Sequence, residues 1–423
     1  MTNHNLLNAH NNWTKETAFF GKTDPLSLAA KYGTPLYIYN ESILRTRCQE
    51  LKNLISYDKF QVNYSAKANT NLEVLRIIRD EGLSVDAMSP GEIFIELKAG
   101  FKPDEILFIC NNVSDEELLF AIKSGVQVSV DSISQLARYG KLNRGGKIVV
   151  RINPGVGAGH HEKVITAGKK TKFGVDPILV NDLKATLKQY DLQLIGLNQH
   201  IGSLFMSPES YIEAAAFLLE FANNFPEIEF ADFGGGFGIP YHKKAGEHRL
   251  DLQDLGKRLD DLVNDWTTKN NKRITVKIEP GRFTVAECGV LLGKVHTTKM
   301  NSGKKYIGTD IGFNVLARPI MYDAYHDIEI YVNTERENAN NENVTVVGNI
   351  CETGDIIAKD RDLPGIVEGD ILGVLDAGAY GMVMSSNYNC RLRPAEVLID
   401  KDGEDILIRR REELEDLTRY FAG

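Results

Sequence analysis

The sequence predicts an α/β plus β architecture: a (β/α)8 barrel of the TIM type, joined to a second, mostly antiparallel β domain. Three observations predict it. Between about residues 60 and 281, eight short apolar runs alternate with amphipathic helical patterns, as in repeated βαβ units with buried parallel strands. After Gly281 the texture turns to short strand-like segments parted by Gly-, Asn- and Asp-rich turns, the pattern of antiparallel β structure. Polar and glycine-rich residues also recur just after successive apolar runs, where a barrel carries its chemistry.

Taken along the chain, Pro35–Tyr39 reads as a strand that joins the β domain, and Ser42–Ile55 as a helix leading into the barrel. The eight barrel strands are expected at Gln61–Ala66, Ser84–Ala87, Ile106–Cys110, Gln127–Asp131, Ile148–Asn153, Leu194–Gln199, Glu229–Phe233 and Thr275–Glu279. Helical patterns between them include Pro90–Ala99, Asp115–Ser124, Pro208–Asn223 and Leu252–Thr268. An open doubly wound sheet is the architectural alternative. In the second half, strands are expected at Val290–His296, Tyr306–Thr309, Ile328–Val332, Val344–Val347 and Asp370–Val374. Asn338–Asn343 reads as a polar loop and Glu412–Tyr420 as a closing helix. The expected domains are 40–285 for the barrel, and 14–39 with 286–423 for a β domain built from both chain ends.

A chain of 423 residues, 43% hydrophobic and 25% charged, can bury two cores and is not expected to be disordered. Its net charge of −9 lacks the basic footprint of a nucleic-acid binder. No apolar stretch approaches a membrane span, and Met1–Trp13 is Asn/His-rich, unlike a signal peptide. We read these first 13 residues as a flexible lead. The five cysteines, Cys48, Cys110, Cys288, Cys351 and Cys390, are scattered and form no Cys-x-x-Cys. Structural zinc and a disulfide framework are not expected, and a reducing cytoplasm fits.

Lys67 closes the first run, in Tyr64-Ser65-Ala66-Lys67-Ala68-Asn69, and Asn71 opens a helix carrying Leu72, Val74, Leu75, Ile77 and Ile78. A lysine where strand hands over to helix points into the barrel mouth, where desolvation can free its amine as a nucleophile. A solvated loop lysine is the plainer alternative. Arg151 and Asn153 close the fifth run, and His200 follows the sixth. Gly234-Gly235-Gly236 follows the seventh, and Glu279-Pro280-Gly281-Arg282 ends the eighth. A glycine triplet before a helix lets backbone N–H groups approach a phosphate, and phosphate sites after strands seven and eight are common in barrels. His200 has no Asp, His or Glu at ligand spacing, so no metal is expected; its flat ring suits stacking on a cofactor. Glu279 is either a salt-bridge partner of Arg282 or a carboxylate facing a pyridine nitrogen, which strengthens an electron sink. Lysine, phosphate cradle, stacking histidine and carboxylate together describe a pyridoxal phosphate site.

These motifs resemble the pyridoxal-phosphate-dependent decarboxylases with an alanine-racemase-like barrel, the ornithine/diaminopimelate/arginine decarboxylase family. The resemblance is carried by Tyr64–Asn69, His200-Ile201-Gly202-Ser203, Gly234–Gly236, Glu279–Arg282, Arg318-Pro319 with Tyr322, Cys351-Glu352-Thr353-Gly354-Asp355, Gly378-Ala379-Tyr380-Gly381 and Ser386-Asn387-Tyr388-Asn389. They stand in family order from about residue 35 to 398. The resemblance implies a head-to-tail homodimer with active sites shared across its interface. It implies that Lys67 carries the cofactor as a Schiff base and that His200 stacks on its ring. Gly235, Gly236, Ser203, Gly281 and Arg282 would serve the cofactor, Glu279 its pyridine nitrogen, and Tyr380 both its phosphate and the substrate. Cys351 would be the proton donor, supplied by the other subunit.

For the substrate, the resemblance points to the branch acting on meso-diaminopimelate, yielding lysine and carbon dioxide in the last step of lysine biosynthesis. One carboxylate of that molecule leaves and the other must be held, which suits an arginine fork. Arg282, Arg318 and Tyr322 are the matching positions. Glu352 would take the distal ammonium; the ornithine-acting branch carries aspartate after the cysteine. Small departures are Cys390 after Ser-Asn-Tyr-Asn and Ile320-Met321 in place of Ala-Leu. Three rivals stay open at this point: a decarboxylase of another diamino acid or carboxylated polyamine, a non-catalytic cofactor-binding relative, and a racemase with Tyr380 as base.

Overall fold

Eight parallel strands close on themselves in sequence order, Phe60–Ser65, Ser84–Ala87, Ile106–Ile109, Gln127–Val130, Lys147–Arg151, Gln193–Asn198, Phe230–Asp232 and Thr275–Ile278. We call them the first to eighth barrel strands. The computed structural model describes residues 12–155, 158–159, 172–332 and 340–422. Closure is made by the eighth strand on the first, with Val276, Lys277 and Ile278 opposite Phe60, Gln61 and Val62. The strands are short and almost wholly buried because helices cover them outside. The helix Leu72–Asp80 shows how: Asn71 caps it by accepting from Glu73 N–H, and Val74, Leu75, Ile77 and Ile78 face inward. Each such side chain contributes roughly 1.5–3 kcal/mol by leaving water.

The chain divides into two compact units. One, containing the barrel, spans Arg45–Pro240 and Glu247–Val285; the other takes Met1–Leu44, Tyr241–Gly246 and Ala286–Gly423. Met1–Asn11 lies outside the described residues, whereas Trp13, read with that lead, opens the short helix Trp13–Glu16.

The second unit is built on a nine-stranded, mostly antiparallel sheet. Its main path runs Ile356–Pro364, Asn341–Val347, Lys304–Thr309, Gly289–Asn301, Leu36–Asn40, Ala395–Ile399 and Asp405–Arg409. Ile371–Val374 also pairs with Gly289–Asn301, and Ile328–Tyr331 pairs with Ile371–Val374. Leu36–Asn40 lies between a strand from each side of the chain's second half, antiparallel to one and parallel to the other. Phe19, Leu36, Ile38, Val290, Leu292 and Val397 form its core.

Two local readings change. Asn341–Asn343, expected in a loop, begins a strand paired with Asp362–Pro364; cross-strand bonding outweighs their polar character. Glu412–Tyr420 is not an α-helix but holds a 3-10 segment, Leu414–Thr418. Leu414 and Tyr420 are largely exposed, so no apolar face is packed to stabilise so short a helix. No helix among the described residues is long and apolar enough to cross a membrane.

Candidate active site

Because the barrel strands are parallel, their carboxyl ends share one rim, and the chain carries reactive groups there. The first strand passes into a 3-10 turn, Ala66–Ala68, that presents Lys67. Tyr64 Oη donates to Asn69 O at 3.0 Å, and Asn69 Oδ1 accepts from Asn71 N–H at 3.0 Å, which pins the turn to the following helix. Gly281 packs against the same turn so closely that an added Cβ would lie 2.9 Å from Ser65 Cβ.

Carboxyl groups crowd this lysine. Ser65 Oγ donates to Asp86 Oδ2 at 2.6 Å. Burial pushes Asp86 up to about 7, against the lowering effect of the Lys67 charge. Glu279, at the end of the eighth strand, is held well above the carboxylate range by burial and by Asp232 and Asp86, with Lys67 and Arg151 opposing. Burial likewise raises Asp232 to about 6. Among the described residues, Glu279 Oε1 is buried and receives no conventional donor, and the raised carboxyl is hydrogen-bonded to Asp232 alone. A buried oxygen in that state is costly unless a ligand serves it.

His200 follows the sixth strand. Gly235 N–H donates to its Nδ1 at 3.2 Å, so Nδ1 is a lone pair and the ring is neutral. Burial and the Lys67 and Arg151 charges depress its pKa well below the usual value, in agreement. The glycine loop is shaped by its neighbours. Gly234 N–H donates to Asp232 Oδ1 at 2.9 Å, and Tyr211 Oη donates to Gly234 O at 2.8 Å. Gly234 and Gly236 hold φ of 77° and 106°, conformations that favour glycine. A Cβ on Gly235 would run into Glu279 O, and one on Gly236 into Gly202 O. Phe205, Tyr211 and Phe237 pack behind the loop, with ring centroids 4.9–5.3 Å apart. Arg282 Nη2 donates to Ser203 Oγ at 2.9 Å. Lys67, His200, Ser203, Gly235, Gly236, Glu279, Gly281 and Arg282 thus belong to one rim.

The remaining candidates lie in the β unit. Cys351 and Glu352 are exposed on a turn fixed by Asp355, which accepts from Phe313 N–H and Ile350 N–H, both at 2.7 Å. Cys351 N–H donates to Asn389 Oδ1 at 3.1 Å, and Tyr388 Oη donates to Glu352 Oε1 at 2.6 Å. Two motifs distant in sequence therefore meet. Arg318 is buried, with Nη1 2.7 Å from His326 Nε2 and its guanidinium over the Tyr241 ring. Tyr322 is half-buried at the end of the helix Arg318–Tyr322. Tyr380 is half-buried with φ of 56° in the turn after Ile371–Val374.

Sequence reasoning missed Asp86, Asp232 and His326. The first two had a signal: a carboxylate inside an otherwise apolar barrel strand is costly unless it serves charge nearby.

The rim fits pyridoxal phosphate on its own terms. Lys67 would hold the aldehyde. The orphaned Glu279 oxygen would meet a pyridine N–H, and the glycine loop with Ser203 and Arg282 would take the phosphate.

A family model for "Pyridoxal-dependent decarboxylase, pyridoxal binding domain" matches residues 41–286. The diaminopimelate decarboxylase of Methanothermobacter thermautotrophicus is 44% identical over 408 residues, covering 94% of each chain. That of Escherichia coli K12 is 33% identical, covering 93% of this chain and 94% of its own. The solved structure of diaminopimelate decarboxylase from Helicobacter pylori complexed with L-lysine superposes with a TM-score of 0.86 at 30% identity, covering 94% of this chain and 98% of that one.

Proposed function

We infer the reaction from membership: this chain belongs to the pyridoxal-dependent decarboxylases. It removes carbon dioxide from meso-2,6-diaminopimelate and leaves L-lysine. The observation that carries this is full-length similarity at 44% identity to a diaminopimelate decarboxylase, joined to a rim whose lysine, orphaned carboxyl oxygen and glycine loop suit the cofactor.

When bound, pyridoxal phosphate supplies an electron sink for the pair released as the carboxylate departs. Lys67 would hold the cofactor through its side-chain amine. Glu279 would serve the pyridine nitrogen, where a carboxylate favours the protonated ring and strengthens the electron sink. His200, neutral because Gly235 N–H occupies Nδ1, offers a flat ring without adding positive charge beside Lys67. Each carbon dioxide lost is replaced by one proton, and Cys351 Sγ delivers it. Arg318, Arg282 and Tyr322 hold the retained carboxylate, Glu352 holds the distal ammonium, and Tyr380 serves phosphate and substrate.

Two copies pair head to tail, with Cys351 and Glu352 of one serving Lys67 of the other. The resemblance supports this, as does the exposure of both residues. The paired enzyme acts in the cytoplasm.

The test is product analysis with pyridoxal phosphate and meso-diaminopimelate. Lysine is expected, and ornithine should give no product; the reverse preference overturns the role of Glu352. Lys67→Ala should abolish both turnover and the visible band of bound cofactor. Cys351→Ala should keep the band yet turn over slowly or misplace the proton.

A further inference from the structure

Arg318 is 2% exposed, and His326 is 1% exposed. The guanidinium Nη1 lies 2.7 Å from His326 Nε2, and His326 Nδ1 lies 2.7 Å from Leu375 O. A guanidinium has donors only, and a carbonyl oxygen only accepts. His326 must therefore present a lone pair at Nε2 and a hydrogen at Nδ1, so both ends specify one neutral tautomer. Tyr241 packs against both partners, with its ring centroid 4.6 Å from the guanidinium carbon and 5.3 Å, edge-on, from the imidazole. Neither the imidazole nor the phenol ring itself brings a negative charge to the cation. A carboxylate in place of the imidazole would form an ion pair and weaken the attraction for an incoming carboxylate.

We propose that His326 is the positioning residue for Arg318: as a neutral acceptor it fixes the guanidinium while leaving its charge for the substrate carboxylate that is not lost. This rests on the reading of Arg318 as a carboxylate holder.

L-lysine keeps that carboxylate and cadaverine lacks it. Their inhibition constants against diaminopimelate turnover, measured on holoenzyme, separate the two ideas. His326→Leu should weaken lysine and raise the diaminopimelate KM about tenfold or more, the scale of a lost hydrogen bond to a charged group. Its kcat should fall less, and cadaverine inhibition should be unchanged. His326→Gln, whose amide oxygen can stand near Nε2, should restore most of the loss. His326→Glu keeps a partner for Arg318 but cancels its charge, so it should weaken lysine selectively; this variant carries the test if His326→Leu does not fold. Equal loss for lysine and cadaverine overturns the proposal. So does wild-type lysine binding in the Leu and Glu variants while Arg318→Lys loses its preference for lysine. If Arg318→Lys itself discriminates like the wild type, the reading of Arg318 fails instead.

Discussion

Glu96 shows how far a single side chain can depart from its residue type. It shares the inward stripe of the helix Pro90–Ala99 with Ile93 and Ala99. Both its carboxyl oxygens are buried without hydrogen-bond partners. Burial first, then Asp86 and Glu92, push it up to about 9 from 4.5. Below about pH 4.5 folded and unfolded chains both hold this proton, and it does not affect stability. Above that, the unfolded chain releases the proton and the folded chain keeps it, so stability falls as pH rises toward 9. Glu96→Gln removes this slope. Its stability advantage over the wild type should grow by about 1.4 kcal/mol per pH unit across that window. Urea unfolding of cofactor-free protein at pH 5, 6, 7 and 8 measures it; parallel curves for the two proteins would refute a buried, proton-bearing Glu96. The i, i+3 spacing with Ile93 and Ala99 was readable in the sequence. The lack of a partner was not, because it depends on what the barrel packs against that stripe.

At the scale of elements, the segment Tyr241–Gly246 interrupts the barrel's share of the chain and packs with the β unit. Its anchor is Lys243, 2.6 Å from both carboxylate oxygens of Asp376 and 3.5 Å from Glu287, with both acids fully buried. Burial opposes the charge of Lys243, but Asp376 and Glu287 outweigh it and the net shift is upward. The ammonium ties the segment to the start of the turn that carries Tyr380. Lys243→Met should destabilise the protein by about 3–5 kcal/mol at pH 8.5, above the value of about 7 to which burial raises Asp376, because buried carboxylates then lose their counter-charge. Chemical denaturation checks this, and a loss under 1 kcal/mol would show that the acids are neutral there. The strand and helix cores stood close to their expected places; Ser84–Ala87, Pro90–Ala99 and Asp115–Ser124 match residue for residue. Their signals are local, in apolar periodicity, Ser caps and αL glycines after Ala99 and Ser124. Nothing local in the sequence marks Lys243, because its two acids lie 44 and 133 residues away.

At the scale of the whole molecule, the proposed pairing makes a statement about mixtures. The Lys67→Ala protein should be inactive and the Cys351→Ala protein slow in forming lysine. If a site takes Lys67 from one copy and Cys351 from another, unfolding and refolding them together yields heterodimers with one intact site. Random pairing then returns about a quarter of wild-type turnover. Turnover no greater than the mean of the two parents rules out sharing. Light scattering should accompany it, with a mass twice that of the 47.2 kDa chain.

Periodicity alone determined eight strand–helix units and a separate β region, because both depend on neighbours a few residues apart; closure into a ring rather than an open sheet was decided by the fold, where the eighth strand pairs with the first. The ordered motifs determined the family, and with it the cofactor. Only the folded chain decided the protonation of the site. It brought Glu279, Asp232 and Asp86 into one dry rim, turned His200 into a lone-pair acceptor for Gly235, and set a neutral His326 against Arg318. Those states arise from burial and from charges meeting across long stretches of chain, and no local pattern encodes them.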